Sequence, residues 1–157
     1  MKSIKRTVLM IITMMSVSLL VGCGSNMMNK IYNDNSKIAD ESDTYGVDDS
    51  EETIESGNYK GKMKLSGSLT IWKYESSEDF DLEVPYTLSV KSQKAKIVLI
   101  SPDNTVVTLV ENTDKATIEG KTTIAVPIKK GTNRIKLVGY DKADIDVELH
   151  IDQGEFK

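Results

Sequence analysis

Apolar and polar residues alternate along most of the chain from Tyr59 onward. The clearest run, over residues 80–90, has an apolar side chain at every second position. A period of two predicts half-buried β-strands. Pro85 falls on the polar set and has no N–H to donate, so we expect this strand to lie at a sheet edge or to bend there.

Further strands follow from the same pattern. An apolar phase runs through residues 63–71 and is interrupted by Gly67, which predicts a β-bulge. The stretch KAKIVLISPDNTVVTLV places the turn residues 101–104 between two β-branched runs and predicts a hairpin. Residues 124–128, 135–137 and 145–151 give three more strands, and GYDKAD is expected to form the loop between the last two.

About seven strands over about 100 residues are typical of a β-sandwich. The sequence therefore predicts an all-β fold, a single antiparallel β-sandwich of jelly-roll or immunoglobulin-like type. This part of the chain contains no cysteine, so the apolar faces of the sheets must stabilise it.

The stretch VPIKKGTNRIKLVGYDKADIDVELHI, residues 126–151, is similar to the closing strands of galactose-binding-like jelly rolls. This resemblance implies a sugar-binding-like sandwich, and such domains often carry a structural calcium ion. It covers about a quarter of the chain, and an immunoglobulin-like sandwich would explain the same strands.

The N-terminus begins with three basic residues, followed by an uncharged run over residues 8–20. That run is too short for a transmembrane helix and predicts a signal peptide over residues 1–22. The next residues, LVGC at 20–23, resemble the bacterial lipobox. The resemblance implies cleavage before Cys23, a lipid on its thiol, and attachment to the extracytoplasmic face of the cell membrane. An uncleaved anchor helix with a free cysteine is the alternative.

Residues 23–58 contain nine acidic residues and two lysines and few apolar side chains. Such a composition predicts disorder. We therefore expect three parts: the signal peptide 1–22, the lipidated cysteine with an acidic tether 23–58, and the sandwich 59–157. The net charge of −4 argues against a general affinity for nucleic acid.

Trp72 and Tyr74 are the candidate ligand-binding residues. If the phase of residues 63–71 faces the core, both rings point outward together and offer a surface on which sugar rings stack. A change of phase near Gly67, or packing of Trp72 beneath a loop, would remove this site.

Asp141, Asp144 and Asp146 are the candidate metal ligands, because calcium binds carboxylate oxygens. Their spacing does not match the EF-hand loop. His150 is the only histidine and falls on the exposed phase of its strand, without a motif that supplies a nucleophile.

These observations predict a non-enzymatic module, held at the membrane by its lipid, that binds a protein or glycan of the cell envelope. Two alternatives stay open: a carbohydrate-binding module that uses exposed aromatic rings, and an enzyme or accessory subunit with a carboxylate or His150 site. No cofactor is expected, and a structural calcium ion at the three aspartates stays an open alternative.

Overall fold

The computed structural model describes residues 23–115 and 120–157, so the predicted signal peptide lies outside the described residues. Helices α1 (Cys23–Ile31) and α2 (Asn35–Ala39) come first. The strands are β1 (Thr44–Glu55), β2 (Asn58–Ser76), β3 (Phe80–Ile100), β4 (Val106–Thr113), β5 (Thr122–Ile128), β6 (Gly131–His150) and β7 (Glu155–Phe156). In this described part, no helix is long and apolar enough to cross a membrane.

The seven strands form one antiparallel sheet in the order β1-β2-β6-β3-β4, with β5 paired to β3 and β7 paired to β2. This confirms the predicted all-β class and is consistent with a β-sandwich. The three central strands are 19 to 21 residues long, and each takes part in two sections of the sheet.

These three long strands bend at the same level of the sheet. The pairing of β2 shifts register between Leu65 and Gly67, and that of β3 shifts between Val90 and Lys94. Strand β6 turns at residues 141 and 142, which both have positive φ. The first half of the sheet contains β1, β2, β6, β3 and β5, and the second contains β7, β2, β6, β3 and β4.

The main core contains buried side chains from both halves, such as Val84 and Val147 from the first and Ile97 and Leu137 from the second. The second half of the sheet also buries its other face, which points away from the main core and which we call the outer face. There, Val98, Ile100 and Val138 form a separate cluster with Ile31, Tyr32, Ile38 and Ala39. These four residues belong to the stretch 23–43, which contains α1 and α2 and which we call the helical segment. The helices therefore cover one face of the second half.

Several local predictions are confirmed. The turn at 101–104 closes the hairpin of β3 and β4, with the Asn104 N–H donating to the Ser101 carbonyl over 2.9 Å. The expected irregularity at Gly67 is present as a register shift. Pro85 pairs with Thr123 of β5, and pairing of β3 with β6 begins one residue later, as expected of a residue that cannot donate.

The expected GYDKAD loop is wrong, because residues 135–137 and 145–151 belong almost entirely to the single strand β6. Residues Asp141 and Lys142 adopt φ of 49° and 59° and turn the strand without ending it. Side chains replace ladder hydrogen bonds at this bend: Asp141 N–H donates to Asn29 Oδ1 at 2.9 Å, and Lys142 N–H donates to Ser66 Oγ at 2.8 Å.

The segment expected to be a disordered tether, 23–58, also differs from the expectation, because it contains α1, α2 and β1. Four of its apolar residues, Ile31, Tyr32, Ile38 and Ala39, are buried on the outer face of the second half, and β1 pairs with β2 along most of its length. Local composition predicted disorder because the surface that buries these residues comes from distant strands. The sheet therefore begins before the predicted domain boundary at Tyr59.

Candidate functional site

A cleft of about 310 Å³ lies on the outer face of the second half, beside the helical segment. Every lining residue except Pro102 is polar, and we call this site the polar cleft. Its lining residues are Glu41, Asp43, Thr70, Lys73, Ser101, Pro102, Asn104, Thr132, Arg134 and Lys157. They come from the segment after α2, from β2 and β6, from the turn at 101–104 and from the C-terminal residue.

Arg134 is held in a fixed position by the helical segment. Its guanidinium donates to the carbonyl oxygens of Ala39 at 2.7 Å and Asp40 at 3.0 Å, and to Asn104 Oδ1 at 3.2 Å. The two carbonyls lie at the C-terminal end of α2, where helix carbonyls lack partners within the helix. Arg134 thus joins α2, the turn at 101–104 and β6.

Lys136, two residues further along β6, is fully buried. Its ammonium donates to the Asp40 carbonyl at 2.7 Å and lies 3.0 Å from Asp43 Oδ1. Thr70 donates to the same carboxylate oxygen at 2.7 Å. Burial raises the pKa of Asp43, but the hydrogen bond from Thr70 and the charge and hydrogen bond of Lys136 outweigh it, so the pKa is lowered below its ordinary value.

The exposed lysines of the polar cleft take part in fewer side-chain interactions than Arg134 and Lys136 do. Lys73 and Lys157 are both exposed, and neither has an ion pair within residues 23–115 and 120–157. The Lys157 main-chain N–H donates to the Ile71 carbonyl at 2.9 Å, which fixes the C-terminal residue against β2. The hydroxyl of Thr132 donates to the Glu75 carboxylate at the rim.

The polar cleft therefore combines the ammonium groups of Lys73 and Lys157 with the immobilised guanidinium of Arg134. We call the two ammonium groups uncommitted because neither has an ion pair within the described residues. Asp43 is paired with Lys136, which leaves Glu41 as the carboxylate of the lining that has no ion pair within the described residues. Such a set favours a polar ligand that carries negative charge. The lining includes no histidine and no cysteine.

The candidate ligand-binding site at Trp72 and Tyr74 requires both rings to be exposed, and the structure contradicts that condition. Trp72 has 0% of its surface exposed, and its indole N–H donates to the Gln153 carbonyl at 2.7 Å. Tyr74 is half-buried and packs between Trp72 and Phe80. The pairing of β2 with β6 shifts register between Thr70 and Trp72, which turns the next side chains toward the core. The two rings therefore form no exposed platform.

Asp141, Asp144 and Asp146 are not brought together as metal ligands. No group of three or more His, Cys, Asp or Glu that could hold a metal ion occurs among the described residues. Asp141 accepts a hydrogen bond from Asn29 at the bend, whereas Asp146 lies 3.6 Å from the ammonium of Lys62. Asp144 is opposite Lys64 in the register of β2 and β6. Because β6 continues through the bend, these carboxylates do not converge in a loop.

His150 lies at the end of β6 and is half-buried. Its Nδ1 is 3.0 Å from Asn58 Oδ1, and its Nε2 is 3.5 Å from the exposed Asp152 carboxylate. Neither neighbour is a hydroxyl or a thiol. Cys23 is the first residue of α1, and the structure describes its backbone position only.

The sequence pattern by itself did not indicate the residues of the polar cleft as a site. A weak signal was present, because residues 134–138 read RIKLV and place two cations on one phase of an otherwise apolar strand. Buried cations need partners, so this pattern indicates that another segment covers them. Nothing local indicates that the partner is the segment around Asp40.

Comparisons with known proteins do not identify a ligand for the polar cleft. No protein-family model matches the chain, and no curated protein matches it. Among solved structures, it is similar to a mutant of a family 29 carbohydrate-binding module, with 10% identity and a TM-score of 0.35, covering 71% of this chain and 82% of that one. A likeness this low carries no argument about the ligand of this chain.

Proposed function

We propose that this protein is a non-catalytic binding module, anchored by a lipid on Cys23 at the extracytoplasmic face of the cell membrane. In this proposal the polar cleft binds an acidic glycan of the cell envelope. The observation that carries the binding site is the pair of uncommitted ammonium groups, Lys73 and Lys157, beside the fixed Arg134.

A glycan fits the polar cleft better than a protein partner does. Protein interfaces usually depend on aromatic or aliphatic anchors that enter pockets. Here the lining side chains are hydroxyl, amide and charged groups apart from Pro102, which suit a ligand recognised through hydrogen bonds and charge. Sugars with carboxylate, sulfate or phosphate groups combine those properties.

Binding should be measured by calorimetry with the chain from residue 23 onward carrying Cys23→Ser. The ligands are uronate-, sulfate- and phosphate-bearing oligosaccharides, with neutral oligosaccharides and an acidic peptide as comparisons. We expect affinity for acidic sugars that weakens as salt is added, since exposed charge pairs are screened. Preference for the acidic peptide, or equal binding of neutral sugars, would contradict the proposal.

The double variant Lys73→Ala/Lys157→Ala should lose most of this affinity. Lys91→Ala is the matched control, since Lys91 is exposed and does not line the polar cleft. An equal loss in both variants would mean that the sugars respond to overall charge rather than to the cleft.

The anchor is tested separately, by growing cells that produce the full chain with a labelled fatty acid. The label should be incorporated into the parent protein and be absent from the Cys23→Ala variant. Incorporation that survives this substitution would contradict lipidation at Cys23.

A further inference from the structure

We infer that the exposed face of α1 rests on the lipid bilayer, so that the folded domain lies directly against the membrane. This inference rests on the proposed lipidation of Cys23. The surface that covers this face is the bilayer to which the lipid is attached. The acidic segment predicted as a flexible spacer would then hold the domain close instead of extending it away.

Helix α1 is firmly docked on the sheet. Asn29 exchanges two hydrogen bonds with Asp141 at the bend of β6, at 2.9 and 3.3 Å. Ile31 is buried in the cluster that the helices share with the second half. Met28 packs over Gly46, where an added Cβ would lie 3.1 Å from the Met28 sulfur.

Because α1 is docked on the sheet, only a short stretch of chain separates Cys23 from the folded domain. Cys23 precedes Asn29 by six residues, which is about 9 Å along a helix at a rise of about 1.5 Å per residue. A chain attached to the membrane at Cys23 therefore cannot place the docked end of α1 far from the surface.

One face of α1 is not covered by the sheet. Residues 26, 27 and 30 are exposed, and positions three, four and seven residues after Cys23 share its side of a helix. Cys23 therefore occupies a backbone position on the same side of α1 as these exposed residues. Met27 on that face is the most exposed large hydrophobic residue of the described chain, at 63%.

The charge of the residues around α1 also favours contact with an anionic membrane. Residues 23–33 contain Lys30 and no acidic residue, whereas all nine acidic residues of 23–58 lie from Asp34 onward. An exposed lysine beside an apolar side chain suits the boundary between anionic head groups and acyl chains. The acid-rich strand β1 leads from this region to its far end at Glu55.

The test uses nitroxide labels on the full, lipidated chain in vesicles that contain anionic lipid. Met27→Cys carries the label on the proposed contact face. Ile54→Cys is the matched control, because Ile54 is a comparably exposed apolar residue, 47% accessible, near the distal end of β1. Fluorescence of the single, buried tryptophan, Trp72, checks that each variant is folded.

We expect the label at Met27→Cys to be accessible to oxygen dissolved in the bilayer and protected from a water-soluble nickel chelate. The label at Ile54→Cys should show the reverse. A Met27→Cys label freely accessible to the chelate would overturn the inference, and so would a label shielded from both reagents, which indicates a protein contact instead.

The mass of the purified protein separates this result from failure of the anchor. A protein with the acyl mass and a water-exposed Met27→Cys label refutes the membrane-facing helix alone. A protein without the acyl mass refutes the anchor, and with it the inference.

Discussion

Lys136 and Asp43 show how this fold accommodates charge beneath the helical segment. The buried ammonium is satisfied by one carboxylate and one main-chain carbonyl, and the carboxylate is also held by Thr70. Removing one partner of such a set leaves a charge in a poorly solvated place, which costs more than the pair gains over apolar replacements. The arrangement fixes the position of the segment rather than adding much net stability.

The substitution Asp43→Asn should lower the free energy of unfolding by about 1–3 kcal/mol, because Lys136 loses its charged hydrogen-bond partner. Urea unfolding followed by Trp72 fluorescence measures this. Asp49→Asn is the control, since Asp49 forms an ion pair with Lys64 at 2.6 Å on the protein surface. Exposed pairs contribute little, so a control with the larger loss would contradict the importance of burial.

Acid should weaken the contact between Asp43 and Lys136. The folded pKa of Asp43 is lowered from 3.8, so its stabilising contribution is fully present above the unfolded value and is lost as the pH falls through the folded value. The parent protein should therefore lose more urea resistance below about pH 4 than Asp43→Asn does. Parallel pH profiles for the two proteins would show that Asp43 is not involved.

The bend of β2 is the feature that decides the fold at the scale of elements. Gly67 has φ of 88°, and a Cβ there would lie 2.2 Å from the Thr44 carbonyl oxygen. The close approach lets the start of β1 pair across the bend. Together with the bends of β3 and β6, it allows one sheet to supply both halves of the core.

The substitution Gly67→Ala should destabilise the protein by more than the conformational cost of a positive φ alone. Gly120→Ala is the matched control, since Gly120 has φ of 94° and an added Cβ there would have no atom of the described residues within 4 Å. Backbone strain of about 1–3 kcal/mol is common to both. Urea midpoints give the difference, and equal losses would show that the contact with Thr44 is unimportant.

At the scale of the whole molecule, the helical segment and β1 complete the fold. The helical segment covers Val98, Ile100 and Val138 and neutralises Lys136 through Asp43, and β1 pairs with β2. A chain that starts at Tyr59, the predicted boundary, would expose this apolar face together with a buried cation. The segment between the proposed lipid and the sheet is thus part of the domain.

A fragment of residues 59–157 should be less stable than residues 23–157 with Cys23→Ser, and it should bind the dye ANS. Exposure of an apolar face and loss of the strand paired to β2 are the physical reasons. Urea unfolding and dye fluorescence of the two fragments check this. Equal midpoints without dye binding would restore the boundary at Tyr59.

Much of the fold followed from local chemistry. Alternation predicted the strands, the turn residues 101–104 predicted a hairpin, and Gly67 predicted an irregularity in β2, because each depends on a few neighbouring residues. The lipid anchor was also predicted from a local motif at 20–23, and it stays a prediction.

The candidate site could not be obtained in this way. Trp72 turned inward because of a register shift against β6, and the three aspartates separated because β6 runs on through its bend. Both outcomes depend on strand pairing over long sequence separations, which a local period does not encode.

The sequence by itself determined that the chain is an all-β domain with short-range turns and an acidic N-terminal segment, since period and composition suffice for those features. Only the tertiary structure decided that this segment folds and that Arg134 faces a polar cleft. The reason is that burial depends on a partner surface, and here part of that surface lies on β6, 94 to 96 residues away from the segment that it binds.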